Sequence, residues 1–288
     1  MNEDPLPPDP RSAAFREDLA DVRLKGQVQA TRYTEGQPAS VSSLLADLRR
    51  RPEDDAPLDS QLMQSEALLV FERHNGWAWV QCQTDSYVGY MHEQDLGPPL
   101  ATAATHCVCV PRTPLFSTPD IKSPITGYLS LQTPLHVQES DGRFLLLERG
   151  GWVYARHAVE AETFAPDWTA TALDFLGVPY LWGGRSSLGL DCSALIQLSL
   201  AAAGLHVPRD SDQQEKDPAL GEYGSLDDAF HRGDLLYWPG HVAIALGPDS
   251  VINATAAPLQ VVTEPFETLN QRARSDGGPL RTVRRPEV

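Results

Sequence analysis

Between about Val28 and Val159, apolar and polar residues alternate in short runs, "ALLVFE", "WAWVQC", "SYVGYM", "PLHVQE" and "RFLLLE", set apart by turn residues. A period of two predicts half-buried β-strands, and "HNGW" and "SDGR" predict hairpin turns between them. A weak repeat runs through the region. Asn75-Gly76 precedes "WAWVQ" and then "VGYMHEQDL"; Asp141-Gly142 precedes "RFLLLE" and then "GWVYARHAV". Two small antiparallel barrels of about 60–75 residues each fit this pattern; one larger β-domain is the competing reading. After "FAPDW" the period turns helical. "ATALDFLGV" predicts one helix and "LDCSALIQLSLAAAGL" a second, with Cys192, Leu195, Ile196, Ser199 and Ala203 on one stripe. "DLLYWPG", "HVAIALG" and "VINATA" then read as consecutive strands. Helices followed by an antiparallel sheet make an α+β domain. The expected division is therefore an N-terminal arm over residues 1–20, which are polar and rich in Asp, Glu and Pro, β-domains over 21–98 and 99–163, and the α+β domain over 164–288.

Composition narrows the function classes. A chain of 288 residues with 41% hydrophobic positions has the length for two or three packed cores. A formal net charge of −16 argues against nucleic acid and anionic membranes as partners, because counterion release rewards basic surfaces. No run of apolar residues is long enough for a membrane helix. The start, "MNEDPLPPDPRSAAFREDL", has neither a basic n-region nor an apolar core, so the cytoplasm is the expected compartment. Cys82, Cys107, Cys109 and Cys192 form no CxxC pair, which argues against a zinc site; no metal and no organic cofactor are expected. Buried free thiols are the default reading for the first three.

Cys192 is different because of its position. Asp191 is a good N-cap, which puts Cys192 in the first turn of its helix, where the dipole favours a thiolate nucleophile. The charge of Asp191 acts in the opposite sense. A small buried cysteine would explain the residue if it stood alone. His241, however, heads the apolar strand of "GHVAIALG", and a Cys at a helix start with a His on a following sheet supplies both parts of an activated thiol. A third residue would orient the imidazole. If the "GPD" loop after Leu246 is three residues long, Asn253 shares the face of His241 on a diagonal; a loop of two or four sends it to the other face.

"PYLWGGRSSLGLDCSALIQ", "VPRDSDQQ", "GDLLYW…GHVAIALG" and "VINA" together resemble the NlpC-type family of papain-like cysteine peptidases over about residues 179–254. The resemblance implies hydrolysis of peptide bonds in bacterial cell-wall stem peptides, commonly the bond between γ-D-glutamate and a diamino acid. It makes Cys192 the nucleophile, His241 the general base and acid, and Asn253 the orienting residue, where many members carry His. Tyr180 of "PYLWGG" resembles a tyrosine near the active site; a core-packing tyrosine is the competing reading.

The two β-domains resemble bacterial SH3-type domains through "GWAWVQ…YVGYM" and "GWVYARHAV". The fold class implied is two small all-β SH3-like barrels followed by an α+β papain-like peptidase domain. "DPR" near the start and "DSYVGYM" are similar to a subgroup that acts on small stem peptides during wall recycling and selects a free N-terminal L-Ala. That similarity assigns substrate contacts to Asp191, Ser193, Ser211, Tyr87 and Glu66, with Asp191 and Glu66 supplying charge for the ammonium. Arg209 and Arg185 are candidate partners of substrate carboxylates, Arg209 equally a structural partner of Asp210. The expected activity is a cytoplasmic γ-D-glutamyl-L-diamino acid endopeptidase acting on murein peptides. Two rivals stand beside it: an amidase or acyltransferase of the same fold, and a non-catalytic muropeptide-binding protein.

Overall fold

The computed structural model describes residues 8–287, which divide into two compact units between Ala103 and Ala104. In the first unit a seven-stranded antiparallel sheet runs in the order Leu58–Met63, Leu45–Arg49, Val88–His92, Trp77–Cys82, Ala67–His74, Gln37–Val41 and Leu96–Gly97. The "HNGW" turn forms as the sequence predicts. His74 pairs with Trp77, and Asn75 and Gly76 both take positive φ (50° and 81°), the backbone a two-residue hairpin needs to follow strand twist. Val41, Leu48, Leu62, Leu68, Val80 and Met91 fill the core.

The stretch read as a surface arm is built into this unit from residue 9 onward; its first seven residues lie outside the described residues. Ala14 and Leu19 are buried against Phe71 and Trp79, and the Arg11 carbonyl accepts the Val88 N–H at 2.8 Å. Arg16 lies 4.3 Å over the Trp79 ring and pairs with Glu72 at 2.6 Å. A polar composition concealed the few apolar residues that anchor the segment.

The second unit joins a β-region to the helical region. Strands from His106 to Glu160 make a five-stranded and a three-stranded sheet. Asp141 shapes the "SDGR" turn by accepting the N–H groups of Arg143 (2.9 Å) and Phe144 (2.6 Å). The expected boundary near residue 163 is no division between units: Ser130 and Ser187 hydroxyls lie 3.1 Å apart, coupling the strands to the loop ahead of the Cys192 helix. Cys82 is buried as expected, but Cys107 and Cys109 are half-exposed.

Beyond residue 164 a six-stranded antiparallel sheet runs in the order Glu222–Gly224, Thr282–Arg285, Leu235–Trp238, His241–Ala245, Ser250–Thr255 and Gln260–Pro265. The helix Cys192–Ala202 packs on the His241 and Ser250 strands. The single apolar stripe expected for this helix is a correction: every residue but Ala201 is buried, because the helix is covered on all sides. The helix Phe266–Asp276, which the sequence reading missed, packs beside the last strand of the sheet edge, Gln260–Pro265. Among the described residues no helix is long and apolar enough to cross a membrane.

Candidate active site

Asp191 caps the Cys192 helix by accepting the Ala194 N–H at 2.9 Å, so Cys192 occupies the first helical position. Its N–H therefore has no intrahelical acceptor. The N–H groups of Ser193 and, across the helix–sheet contact, of Val242 favour the thiolate form of the sulfur. The thiol thus stands against the peptide that follows His241.

His241 reaches this point through a tight turn. Trp238 pairs with His241 across Pro239-Gly240, and Gly240 takes φ of 74°, the positive value a type II turn requires after Pro. The next hairpin fixes the third residue. Ile244 faces Ile252, Ala245 faces Val251, and the Leu246 N–H bonds the Ser250 carbonyl at 2.8 Å, which closes a three-residue loop over Gly247–Asp249. This is the register that sends Asn253 to the His241 face, and Asn253 Oδ1 lies 3.1 Å from His241 Nε2.

Burial and then Asp191 push the Cys192 thiol up to about 12, and the Ser193 and Val242 N–H groups do not overcome this. Burial pushes the His241 imidazole down to about 4 despite the bond to Asn253. The resting pair is thus neutral thiol and neutral imidazole. A depressed imidazole pKa stabilises the fold above the ordinary value of 6.5 and loses that stabilisation as pH falls towards 4. Between pH 7 and pH 5 the wild type should lose about 1 to 2 kcal/mol more stability than His241→Gln, a figure reduced for the partial exposure of His241. Urea midpoints of both proteins at the two pH values check this, and equal losses would contradict it.

Tyr180 stands where the sequence places it, near both reacting groups. It shares with His241 the wall of a cavity of about 400 Å³, together with Thr255, Arg272 and Asp276. Burial, then the nearness of Cys192, raises its phenol, so the hydroxyl stays protonated and able to donate.

Most of the residues expected to contact substrate are engaged by partners within the protein. Arg209 is 1% exposed and forks onto Asp191, with Nη1 at 2.9 Å from Oδ1 and Nη2 at 2.7 Å from Oδ2. It is an internal partner of Asp191, not a binder of substrate carboxylate, since it is buried below the surface. Asp191 also accepts from Ser193 Oγ (3.0 Å) and the Gly183 N–H (3.0 Å). Five donors, two of them from the Arg209 guanidinium, engage the Asp191 carboxylate. Ser193 is drawn into the same network, its hydroxyl 2.8 Å from Arg209 Nη1. Arg185 is buried with its Nε 2.8 Å from Gln197 Oε1. Ser211 opens the short helix Ser211–Gln214 and is partly exposed.

In the first unit Tyr87 is a core residue packed with Val41, Leu62 and Val80. Glu66 is 3% exposed; its Oε2 accepts the Met63 N–H at 2.7 Å and its Oε1 the Thr84 hydroxyl at 3.2 Å. The first unit's own core and turn thus engage the Tyr87 ring and the Glu66 carboxylate.

Sequence reasoning missed Glu264 and Arg272. Asn253 Nδ2 donates to Glu264 Oε1 at 2.9 Å, and Arg272 grips the same carboxylate with Nη2–Oε1 at 2.6 Å and Nη1–Oε2 at 2.9 Å. The signal was present: in "QVVTEP" the period of two puts Val262 and Glu264 on one face, and Val262 pairs with Asn253. Among the described residues no cluster of three or more His, Cys, Asp or Glu could hold a metal ion.

Residues 48–96 match a bacterial dipeptidyl-peptidase Sh3 domain, and residues 177–273 match the NlpC/P60 family. The chain is 26% identical to dipeptidyl-peptidase 6 of Lysinibacillus sphaericus over 83% of its own length and 95% of that protein. It is 26% identical to the gamma-D-glutamyl-L-lysine dipeptidyl-peptidase of Bacillus subtilis (strain 168), over 73% of this chain and 77% of that one. Among solved structures, an NlpC/P60 family protein from Bacillus cereus ATCC 10987 shares the fold, with a TM-score of 0.74 at 21% identity over 86% of this chain and 99% of that one.

Proposed function

The chain carries an NlpC/P60 peptidase domain behind a bacterial dipeptidyl-peptidase Sh3 domain, and from that premise we propose that it is a cysteine peptidase of murein stem peptides. It hydrolyses the γ-D-glutamyl-L-diamino acid bond of peptides with a free N-terminal L-Ala, in the cytoplasm, on fragments recovered from the wall. The catalytic domain is papain-like, and residues 106–160 form a second SH3-type domain. One observation carries the reading. The Cys192 sulfur sits at a helix start against the strand headed by His241, whose far ring nitrogen bonds Asn253.

With Nε2 turned to Asn253, Nδ1 is the nitrogen left to act on the thiol. It takes the thiol proton as sulfur attacks the γ-glutamyl carbonyl, so neutral partners react without a standing ion pair. The Cys192 N–H and the Tyr180 hydroxyl are donors for the oxyanion. His241 then protonates the departing amine of the diamino acid, leaving a thioester. Water adds to the thioester while His241 accepts its proton, and the dipeptide acid leaves as the thiol is restored.

Both relatives are named as dipeptidyl-peptidases, and such an enzyme releases two residues from a free N-terminus. That supports the requirement for a free L-Ala. Mass spectrometry of digests of L-Ala-γ-D-Glu-diaminopimelate is expected to show the dipeptide L-Ala-D-Glu and free diamino acid. The N-acetyl tripeptide should be cut at least roughly a hundredfold more slowly, the loss expected when a buried charged group finds no partner. Equal cleavage of both would defeat the free-terminus reading, and release of L-Ala alone would favour the amidase.

A further inference from the structure

We infer that Glu264, clamped by Arg272, is a positioning residue that sets which way the Asn253 amide faces and thereby which nitrogen of His241 carries the proton. The inference rests on the cysteine peptidase reading and adds to it two residues outside the reacting trio.

The argument turns on what each group can do. A carboxylate only accepts hydrogen bonds, whereas a carboxamide has one accepting and one donating end. Glu264 lies 2.9 Å from Asn253 on the side away from His241. Burial alone would raise its carboxyl, but the bonds from Arg272 and Asn253 hold it below its ordinary value, so it is ionised. An ionised carboxylate there forces the Asn253 NH₂ towards itself and Oδ1 towards His241. Oδ1 cannot donate, so His241 Nε2 must carry hydrogen at their 3.1 Å contact, and Nδ1 keeps its lone pair. A flipped amide would present N–H to Nε2, favour the Nδ1–H form, and remove the base.

The clamp prevents the alternative from arising at Glu264. Arg272 donates to both carboxylate oxygens, which keeps the group charged and fixes its plane. Asn253 is 0% exposed, so no bulk water is available to satisfy a misturned amide. Strand register supplies the geometry: Asn253 pairs with Val262, and Glu264 is the diagonal neighbour on the same face. Arg272 arrives from the helix Phe266–Asp276.

The test begins with the unmodified full chain, selectively labelled with ¹⁵N-imidazole. At pH 7 the His241 signals should show Nε2–H with Nδ1 unprotonated; the Nδ1–H form would overturn the inference. This arm needs no substrate, so it stands even if the murein peptide is not turned over. The second arm uses Glu264→Gln, which keeps shape and removes charge. It should lower kcat roughly 10- to 100-fold with KM changed less than about threefold, and the imidazole spectrum should gain the Nδ1–H form. In an Asn253→Ala background the same change should cost less than about twofold, because the residue through which Glu264 acts is gone. Full additivity of the two substitutions, or a kcat loss with an unchanged tautomer, would mean that Glu264 is only structural.

Discussion

Replacing Cys192 by Ala is expected to abolish cleavage of the murein tripeptide while leaving the fold in place. The loss should be roughly 10⁴-fold or more, since removing a nucleophile leaves only the catalysis that binding and oxyanion donors supply. The structural cost should be small. Cys192 is 7% exposed at a helix start, and Ala keeps the helix and its Asp191 cap, so about 1 kcal/mol is the expected change. Prolonged alkylation by iodoacetamide at alkaline pH, where some thiolate forms, should mimic the substitution, and EDTA should have no effect. Assays of product by mass spectrometry, paired with urea denaturation of each protein, separate chemistry from folding. Turnover by the Ala variant above roughly one per cent of wild type would remove Cys192 from the mechanism.

Replacing Asp191 by Ala is expected to have the largest effect on stability, about 3–5 kcal/mol, because it leaves the Arg209 guanidinium buried without its counter-charge. Arg209 is 1% exposed and donates two hydrogen bonds to Asp191, and the same carboxylate also satisfies the Gly183 and Ala194 N–H groups. Loss of the helix cap adds about 1 kcal/mol. The double variant Asp191→Ala, Arg209→Met should recover part of the loss, since no buried charge remains unpaired. Urea midpoints of the two single variants and the double one measure this. A single Asp191→Ala change costing under about 1 kcal/mol, or strict additivity, would show that the pair does not hold the loop and helix together.

These two residues also show what the sequence disclosed and what it concealed. Asp191 could be read as a cap because capping is local, a matter of three residues. Its pairing with Arg209, 18 positions away, depends on how the chain returns past the helix, and no local pattern encodes that. Asn253 was readable only through a condition on loop length, and Gly247–Asp249 meets it. The helix Phe266–Asp276 escaped notice because it buries only Leu269 and Ala273 and has no side-chain cap. Arg272 went unseen with it. Tyr87 and Glu66 were assigned through similarity to a subgroup, and the alternation that made the barrel legible also places Tyr87 in its core.

The sulfur held protonated by its surroundings has one more outcome. Peroxide attacks the deprotonated form of cysteine, and a group pushed up to about 12 offers almost none of it in the resting protein. The same burial is thus expected to shelter the sulfur from idle oxidation, so peroxide should inactivate the protein more slowly at pH 7 than at pH 9.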